Sequence, residues 1–272
     1  MTLAVETLRL EAFEPEHLSD AVRLSQQVSW PHRAEDWALT LSQSQGVVAK
    51  LGDKVVGTAL VSLFGDVATL SMIIVDQEQR GKRIGRRLME AIIGMADGRE
   101  MRLVATTDGL PLYRKLGFQV IGEVEQFQGI AVGVAPAIRV QIGDFDVNKL
   151  SAMDQAACGL DRQDLISRIT SAGTVFHTEN GFAVLRDFGR GKVLGPIVAK
   201  DLATAKALLS AAARAEAGTF LRIDTPDADL GAFAKTLGLE SVGGGACMSA
   251  RACGAQGKNE FQTFGLVSQA LG

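Results

Sequence analysis

The clearest chemical signal in the sequence is a cluster of positive charge just before a long amphipathic segment. Between positions 80 and 87, five of eight residues are basic: Arg80, Lys82, Arg83, Arg86 and Arg87. A helix N-terminus attracts anions through its unpaired N–H groups and dipole, so cations placed there oppose the dipole until an anion binds. Gly81 and Gly85 allow a ligand to approach the backbone closely. The cluster favours a phosphate-like ligand; the alternative is a solvated basic turn balanced by Asp76, Glu78 and Glu90.

Overall charge and composition limit the partners that such a site can serve. The chain has 272 residues with 31 acidic and 28 basic side chains, which gives a net charge of −3. No global positive field points to nucleic acid or to an anionic membrane, so any anion site is local. With 47% hydrophobic and 22% charged residues, the chain is typical of a globular protein with a real core, and its length suits two domains.

The N-terminal segment and the spacing of the cysteines both bear on the cellular compartment of the protein. The N-terminal segment carries acids where a signal peptide carries basic residues, and no apolar stretch approaches the roughly 20 residues that span a bilayer. Cys158, Cys247 and Cys253 form no Cys-x-x-Cys pair, which argues against a disulfide framework or a zinc site. We expect a cytoplasmic protein without a metal centre.

The elements that position the basic cluster follow from hydrophobic periodicity. Residues 8–13 alternate as a half-buried strand, and two helical segments follow. Three strands joined by tight turns then form an antiparallel meander that ends at Val75. From Ile84 to Ile92, apolar residues recur every four positions, which predicts an amphipathic helix. A buried strand, a short helix stopped by Gly117 and a further strand complete a βαβ unit, so the first half is predicted to be α/β or α+β.

The second half repeats this order of elements, as a weak internal repeat. A meander, a long helix, a strand and a short helix recur, and glycines with Pro136 interrupt the pattern between the copies. We therefore expect two domains, at residues 1–130 and 137–272.

The two copies differ in their chemical residues. The long helix of the second copy begins LATAKALL where the first has RGKRIGRR, and Ala234 stands at the position of Tyr113. Tyr113 is the only tyrosine of the chain; taken alone, its ring is more easily explained as core packing. The glycine triplet at 243–245 lacks a following helix and is predicted to be a flexible turn. The second half has the scaffold without the chemistry.

Two motifs resemble those of one enzyme family. The loop Arg80-Gly81-Lys82-Arg83-Ile84-Gly85 is similar to the pyrophosphate loop, Arg/Gln-x-x-Gly-x-Gly/Ala, of the GCN5-related N-acetyltransferases (GNAT). Arg83 departs from that pattern, since it stands where glycine is usual. The segment LYRKLGF resembles the family's Phe-Tyr-x-x-Leu-Gly-Phe, and the likeness extends over about residues 3–128.

The resemblance implies a fold for the whole chain. The phrases SWPHRAEDW, GLDRQDL, GPIVA and RID are similar to bacterial two-domain members whose C-terminal domain is degenerate. It therefore implies two tandem GNAT-like domains, each a mixed, mostly antiparallel sheet flanked by helices.

The resemblance also implies an activity, the transfer of an acetyl group from acetyl-CoA to a primary amine by direct attack. The residues that it assigns to coenzyme A are Ile73, Ile74, Val75, Arg80, Gly81, Lys82, Arg83, Ile84, Gly85 and Arg86. A backbone N–H near Val75 would stabilise the oxyanion that forms. Tyr113 takes the position of the general acid, because a phenol with a pKa near 10 stays protonated at neutral pH.

Candidates for the acceptor side come from several segments of the chain. His32 and Asp108 are candidate bases, although each also fits a structural role, in an aromatic loop and in a turn respectively. Trp30, Asp161 and Asp224 are candidate substrate-binding residues. Acids there could attract a cationic amine; equally, they could form ion pairs at a domain interface, and Asp161 could cap a helix.

Four questions stay open at this point. The acceptor is a small-molecule or peptide amine that the sequence does not identify, and the oligomeric state is undetermined. The same residues also fit an acyltransferase for a longer acyl chain. They fit, too, a catalytically silent acyl-CoA-binding protein with a regulatory or interaction role.

Overall fold

The structure, a computed structural model, describes residues 7–252 and 259–272. The strands are β1 (Leu8–Ala12), β2 (Gln45–Leu51), β3 (Lys54–Phe64), β4 (Val67–Val75), β5 (Glu100–Ala105), β6 (Gln119–Ile130), β7 (Gln141–Ile142), β8 (Thr174–Thr178), β9 (Gly181–Phe188), β10 (Gly191–Ala199), β11 (Phe220–Thr225), β12 (Glu240–Ala250) and β13 (Gln262–Gly265). The helices are α1 (Leu18–Gln27), α2 (Ala34–Ser42), α3 (Ile84–Met95), α4 (Leu110–Lys115), α5 (Val147–Cys158), α6 (Gln163–Ala172), α7 (Leu202–Ala215) and α8 (Ala228–Thr236).

The first half follows the predicted meander and βαβ unit. Strands β1 to β4 pair antiparallel in chain order, and α3 then carries the chain back to β5, which lies parallel to β4. Helix α3 buries Ile84, Leu88, Met89 and Ile92 against this sheet, as the four-residue spacing predicts. Burial of such a side chain stabilises the fold by roughly 1.5–3 kcal/mol.

The two halves exchange strands at their junction. Strand β12 of the second half inserts between β5 and β6 and pairs antiparallel with both, while β6 pairs on its other side with β11. The order β5-β12-β6-β11 thus alternates between the halves. The mixed, mostly antiparallel sheet with flanking helices is confirmed, but the described strands join in one continuous sheet rather than two.

A shared apolar core joins the halves on one side of this sheet. Trp37, Val48 and Phe64 of the first half belong to the same buried cluster as Leu165 and Phe182 of the second. Separate clusters lie under α3 and under α7. Because β12 contributes residues to the cluster under α3 and β6 to the cluster under α7, all three cores contain residues of both halves.

Several sequence predictions need correction. Glycines 243–245 do not form a flexible turn but lie within β12. The strand packs so closely that a Cβ on Gly244 would overlap the carbonyl oxygen of Val124, which explains why this position is glycine. The N-cap of α6 is Arg162, so Asp161 does not cap that helix. Asp76 is buried and pairs with Lys54 at 3.2 Å, so it does not balance the basic cluster.

Three elements of the second half were not predicted at all: helix α5 and strands β7 and β13. Cys158 and Cys247 are free thiols, and Cys253 lies outside the described residues. Among the described helices, none combines the length and the apolarity that a bilayer crossing requires.

Candidate active site

Strands β4 and β5 separate and leave a gap in the sheet. They pair only from Val67 to Thr69 and diverge beyond that point. On the other side of β4, the Asp76 N–H donates to the Val56 carbonyl at 2.8 Å, and Val75 lies opposite Gly57. Because antiparallel ladders alternate the direction of their backbone groups, the N–H and C=O of Val75 face the gap. A ligand in the gap can pair with this strand edge.

The basic cluster lies at the far end of the gap, where α3 begins. The N-cap of α3 is Arg83, whose side chain makes no capping hydrogen bond, so the first N–H groups of the helix stay uncapped by a side chain. Arg80 and Arg86 are exposed and pair with Asp108 at 3.3 Å and Glu90 at 2.8 Å. Exposed ion pairs of this kind are worth little, so both guanidinium groups can turn toward an anionic ligand.

The backbone of Arg83 explains why the family pattern has glycine at this position. Its φ of +61° and ψ of +15° lie in the left-handed region, which costs a residue with a Cβ about 1–2 kcal/mol. Gly81, with φ +79°, meets the same requirement without strain. The chain therefore keeps the loop geometry of the pattern while carrying an additional cation in it.

One cavity of about 1120 Å³ joins the gap, the basic loop and α4. The predicted coenzyme residues that line it are Ile73, Ile74, Val75, Arg80, Gly81, Arg83, Ile84, Gly85 and Arg86. Trp30, Asp108 and Tyr113 line it too. Lys82 is not among the lining residues, and its ammonium donates to Gln79 at 2.7 Å.

Tyr113 is placed by α4 on the inner wall of this cavity. Its side chain is 6% exposed, and its ring packs edge-on against Phe118 with 6.3 Å between centroids. The ring also fits because residue 109 is glycine, where a Cβ would lie 2.7 Å from Cε2 of Tyr113. Burial raises the pKa of Tyr113 to about 12, so the phenol stays protonated at neutral pH.

A second, smaller cavity of about 190 Å³ continues from the first toward the other half of the chain. The two cavities share Trp30, Ile73, Thr106 and Tyr113. The smaller one is also lined by His32, Ser71, Phe188, Arg222 and Gln269. The last three come from the second half, so the inner cavity is formed by both halves together.

His32 lies in an aromatic setting at the wall of the inner cavity. Its ring centroid is 5.7 Å from that of Trp30 and 5.3 Å from that of Phe188. Its Nδ1 is buried and has no hydrogen-bond partner in the described ranges. Burial, and after it the positive charge of Arg222, lowers the pKa of His32 to about 4. The imidazole is therefore neutral at pH 7 and a weak base.

The three acidic candidates lie in different places. Asp224 is fully buried and accepts from both Nε and Nη2 of Arg222 at 3.0 Å. Asp108 is exposed at the mouth of the large cavity. Asp161 lies in a separate groove with Gln43 and Arg168, and the structure does not bring it to either cavity described above. In the described ranges, no group of three or more His, Cys, Asp or Glu side chains could hold a metal ion.

Sequence reasoning missed Arg222, Phe188, Ser71 and Gln269. Arg222 was visible only within the RID phrase, and the other three carried no motif or spacing signal. Their common property is their position in space, which depends on strand pairing between the two halves.

Comparisons with known proteins agree with the fold of both halves. Two family profiles, each described as an acetyltransferase (GNAT) domain, match residues 42–120 and 150–263. A solved structure from Pyrococcus horikoshii, provisionally described as an acetyltransferase, superposes with a TM-score of 0.86 over 100% of this chain and 98% of that one. Its sequence identity is 19%, so this likeness concerns the fold.

Two relatives resemble the chain in sequence. An uncharacterized N-acetyltransferase of Bacillus subtilis, YitH, is 29% identical over 226 residues, which cover 78% of this chain and 79% of that protein. The N-alpha-acetyltransferase RimI of Mycobacterium tuberculosis is 30% identical over 122 residues, which cover 42% of this chain and 77% of the relative. The chain therefore belongs to the GCN5-related N-acetyltransferase family and contains two tandem domains of that kind.

Proposed function

We propose that the protein is an N-acetyltransferase that transfers the acetyl group of acetyl-CoA directly to a primary amine. The observation that carries the proposal is a single cavity in which three features meet. These are the open backbone edge of β4, the uncapped basic end of α3 and the buried phenol of Tyr113. The similarity to RimI supports an amine as the acceptor, since that protein is named an N-alpha-acetyltransferase.

The residues of the large cavity fit the parts of coenzyme A. The edge of β4 offers the C=O of Val75 to the amide-bearing pantetheine arm, and Ile73 and Ile74 line the cavity beside it. The loop from Arg80 to Arg86 offers helix N–H groups and guanidinium groups to the pyrophosphate. The cavity exceeds the roughly 300–1,000 Å³ of drug-sized pockets, which suits a long co-substrate.

The reaction follows from the groups at the meeting point of the two cavities. The amine nitrogen forms a bond to the acetyl carbonyl carbon, and the N–H of Val75 stabilises the oxyanion that develops. When the C–S bond breaks, its electron pair goes to sulfur, and Tyr113 gives its proton to the thiolate. The phenolate then regains a proton from solvent.

The proton that the amine loses needs a different route. With a pKa of about 4, His32 is a poor acceptor for it, so water in the cavity carries this proton to solvent. His32 and Trp30 hold the amine in place. Asp108, exposed at the mouth of the cavity, pairs with Arg80 of the cofactor loop and releases it when the anionic coenzyme binds. In this view residues 1–130 carry the chemistry, and residues 137–272 complete the acceptor side.

The proposal is tested by calorimetry with coenzyme A and by an assay of thiol release from acetyl-CoA with an amine panel. Replacement of Tyr113 by Phe removes one hydroxyl and is expected to lower the turnover number about 100-fold or more, with the dissociation constant of coenzyme A nearly unchanged. Unchanged turnover would remove Tyr113 from the mechanism. Coenzyme A binding without turnover on any amine would favour the silent acyl-CoA-binding protein, and absence of binding would end the whole proposal.

A further inference from the structure

The inner cavity has a buried guanidinium group, Arg222, on its wall, and this group identifies a class of acceptor. We infer that the acceptor is a small amino acid-like amine, whose carboxylate binds Arg222 while its amino group points to Tyr113. This inference rests on the proposed function, and it adds the chemistry of the substrate.

The size of the inner cavity favours a small molecule. Its volume of about 190 Å³ lies below the roughly 300 Å³ at which drug-sized pockets begin. It is bounded by residues of both halves, including Trp30 on one side and Phe188 on the other. A free amino acid fits such a volume, whereas a peptide would have to place its second and later residues elsewhere.

Arg222 is the charged side chain on the wall of this cavity. It is buried, and Asp224 engages its Nε and Nη2 atoms. Its Nη1 has no hydrogen bond to any residue in the described ranges. Asp224 also accepts from Nε2 of Gln269 at 2.8 Å, so its negative charge is shared between two donors. A guanidinium with an open Nη1 is suited to a carboxylate oxygen.

A second buried guanidinium group lies close to Arg222. Arg186 is buried, and its guanidinium carbon lies 5.3 Å from the ring centroid of Phe188, against 5.1 Å for Arg222 on the same ring. Arg186 donates from Nη2 to the Val267 carbonyl at 2.7 Å, and among the described residues no carboxylate forms an ion pair with it, whereas Arg222 pairs with Asp224. A buried positive charge without a paired carboxylate favours an anionic group nearby, and a substrate carboxylate at Arg222 would supply one.

Two further residues that line the cavity carry polar atoms without partners. Ser71 Oγ and His32 Nδ1 are both buried, and neither has a hydrogen-bond partner among the described residues. Buried polar groups in proteins are nearly always satisfied, by protein, water or ligand. A molecule with a carboxylate and an amine offers both acceptors and donors to this pair.

The same charges help the amine to react. A positive environment and desolvation both lower the pKa of an ammonium group, which raises the fraction of neutral amine that can attack. The cavity therefore binds the acid end of the substrate and at the same time favours deprotonation at the other end. This explains how transfer proceeds without a strong base.

The test uses matched acceptors on the wild-type enzyme. The panel contains the twenty free L-amino acids and β-alanine, each with its carboxamide and its decarboxylated amine, and thiol release from acetyl-CoA is followed. At least one free acid is expected to be used with a kcat/KM roughly 30-fold or more above that of its carboxamide. Equal or better use of carboxamides, as expected for peptide termini, or of simple amines overturns the inference. So does the absence of any acetylated amino acid.

Two variants connect the preference to Arg222. The double variant Arg222→Gln with Asp224→Asn removes both charges of the buried pair and leaves no orphaned ion, so the fold is retained. It should abolish the preference for acids over carboxamides, chiefly through KM, and leave coenzyme A affinity within about twofold. Arg222→Lys should retain part of the preference, because the charge is kept and the fork geometry is lost. The exposed Arg214→Gln serves as the control and should change nothing.

The outcomes separate this inference from the proposed function. If the double variant keeps the acid preference, Arg222 is not the carboxylate site. If coenzyme A binds and some amine is acetylated without regard to a carboxylate, the proposed function holds and the inference fails. If coenzyme A does not bind at all, the proposed function itself has failed.

Discussion

The two halves of the chain build the same gap between two parallel strands and treat it in opposite ways. In the first half, β4 and β5 diverge around an open cavity. In the second half, β10 and β11 pair only at Lys192 and Val193, and β13 then lies along β10, where Ile197 faces Gly265. The Leu266 N–H donates to the Asp224 carbonyl at 2.8 Å. The chain itself thus supplies a backbone partner in the second gap, whereas the first gap keeps an open strand edge that fits the proposed coenzyme.

The beginnings of the two long helices show the same contrast. In the second half, Asp201 caps α7 by accepting from the Thr204 N–H at 2.7 Å. In the first half, Arg83 caps α3 without any side-chain hydrogen bond. In this chain the helix that begins without a side-chain cap is therefore the one beside the proposed anion site. The scaffold is common to both halves, and the unpaired donors are what distinguish the site.

The largest expected effect concerns the gap between β10 and β11, which β13 fills. From the strand registers, Gly195 of β10 corresponds to Ser71 of β4, and a Cβ on Gly195 would overlap the carbonyl oxygen of Leu266. Gly195→Ala should lower the free energy of unfolding by roughly 3 kcal/mol, measured by urea denaturation. Ser71→Ala removes an unpartnered hydroxyl and should cost less than about 1 kcal/mol. If the two substitutions lowered the free energy of unfolding equally, the gap beside β10 would not be filled, and the gap beside β4 open, in the way described.

The next effect concerns His32, a first-half residue whose proton affinity depends partly on Arg222 of the second half. Its pKa is lowered from 6.5 to about 4 on folding, so the unfolded chain takes up a proton first as the pH falls. The stability it contributes is complete above pH 6.5 and is lost between pH 6.5 and 4, by up to about 3 kcal/mol. The free energy of unfolding, measured by urea denaturation at a series of pH values, should therefore fall more steeply with decreasing pH in the wild type than in His32→Gln. Parallel pH profiles would show that the inner cavity does not hold a neutral imidazole.

A smaller effect distinguishes two neighbouring arginines of α3. Arg86 lines the large cavity and Arg87 does not, although both are exposed in the first turns of the helix. Arg86→Glu should weaken coenzyme A binding by roughly tenfold or more, whereas Arg87→Glu should weaken it by about threefold or less. Calorimetry at low and moderate salt measures both. Identical losses would mean that only the general charge of the helix matters.

The smallest effects concern the two helix caps, and they should have opposite signs. Arg83→Gly relieves a left-handed backbone and should raise the free energy of unfolding by about 1 kcal/mol. Asp201→Ala removes a side-chain cap and should lower it by about 1 kcal/mol. Thermal or chemical unfolding of each single variant measures the sign. If Arg83→Gly is destabilising, the Arg83 side chain makes a contribution that its exposed position does not explain.

Local patterns predicted most of the fold. The meander, the helix from Ile84 and the strand after it depend on periodicities within a few residues, and all are present. The glycines at 243–245 were misread, because a run of glycine is usually a turn. Here the glycines allow β12 to approach its neighbouring strand closely, and this approach exists only in the folded chain. The exchange of β6 and β12 has no local signal at all.

The candidate site likewise consists of residues that local motifs predicted and residues that they did not. The residues from Arg80 to Arg86 lie next to each other in sequence, so their motif was visible, and Tyr113 was visible through the LYRKLGF segment. The wall of the inner cavity was not visible, because Arg222, Phe188 and Gln269 reach it from three separate segments. The role proposed for Arg222 depends on its burial and on its pairing with Asp224, which only the folded chain shows.

The alternation β5-β12-β6-β11 also affects how the protein is made. While the ribosome has delivered only the first half, β5 and β6 lack the neighbour that lies between them in the finished sheet, and both present open strand edges. That neighbour, Glu240–Ala250, is synthesised well after β5 and β6. The nascent first half must therefore keep these edges from pairing wrongly until β12 emerges. The sheet around the candidate site is thus completed only by a strand that is translated later than the loop and the tyrosine proposed to bear the chemistry.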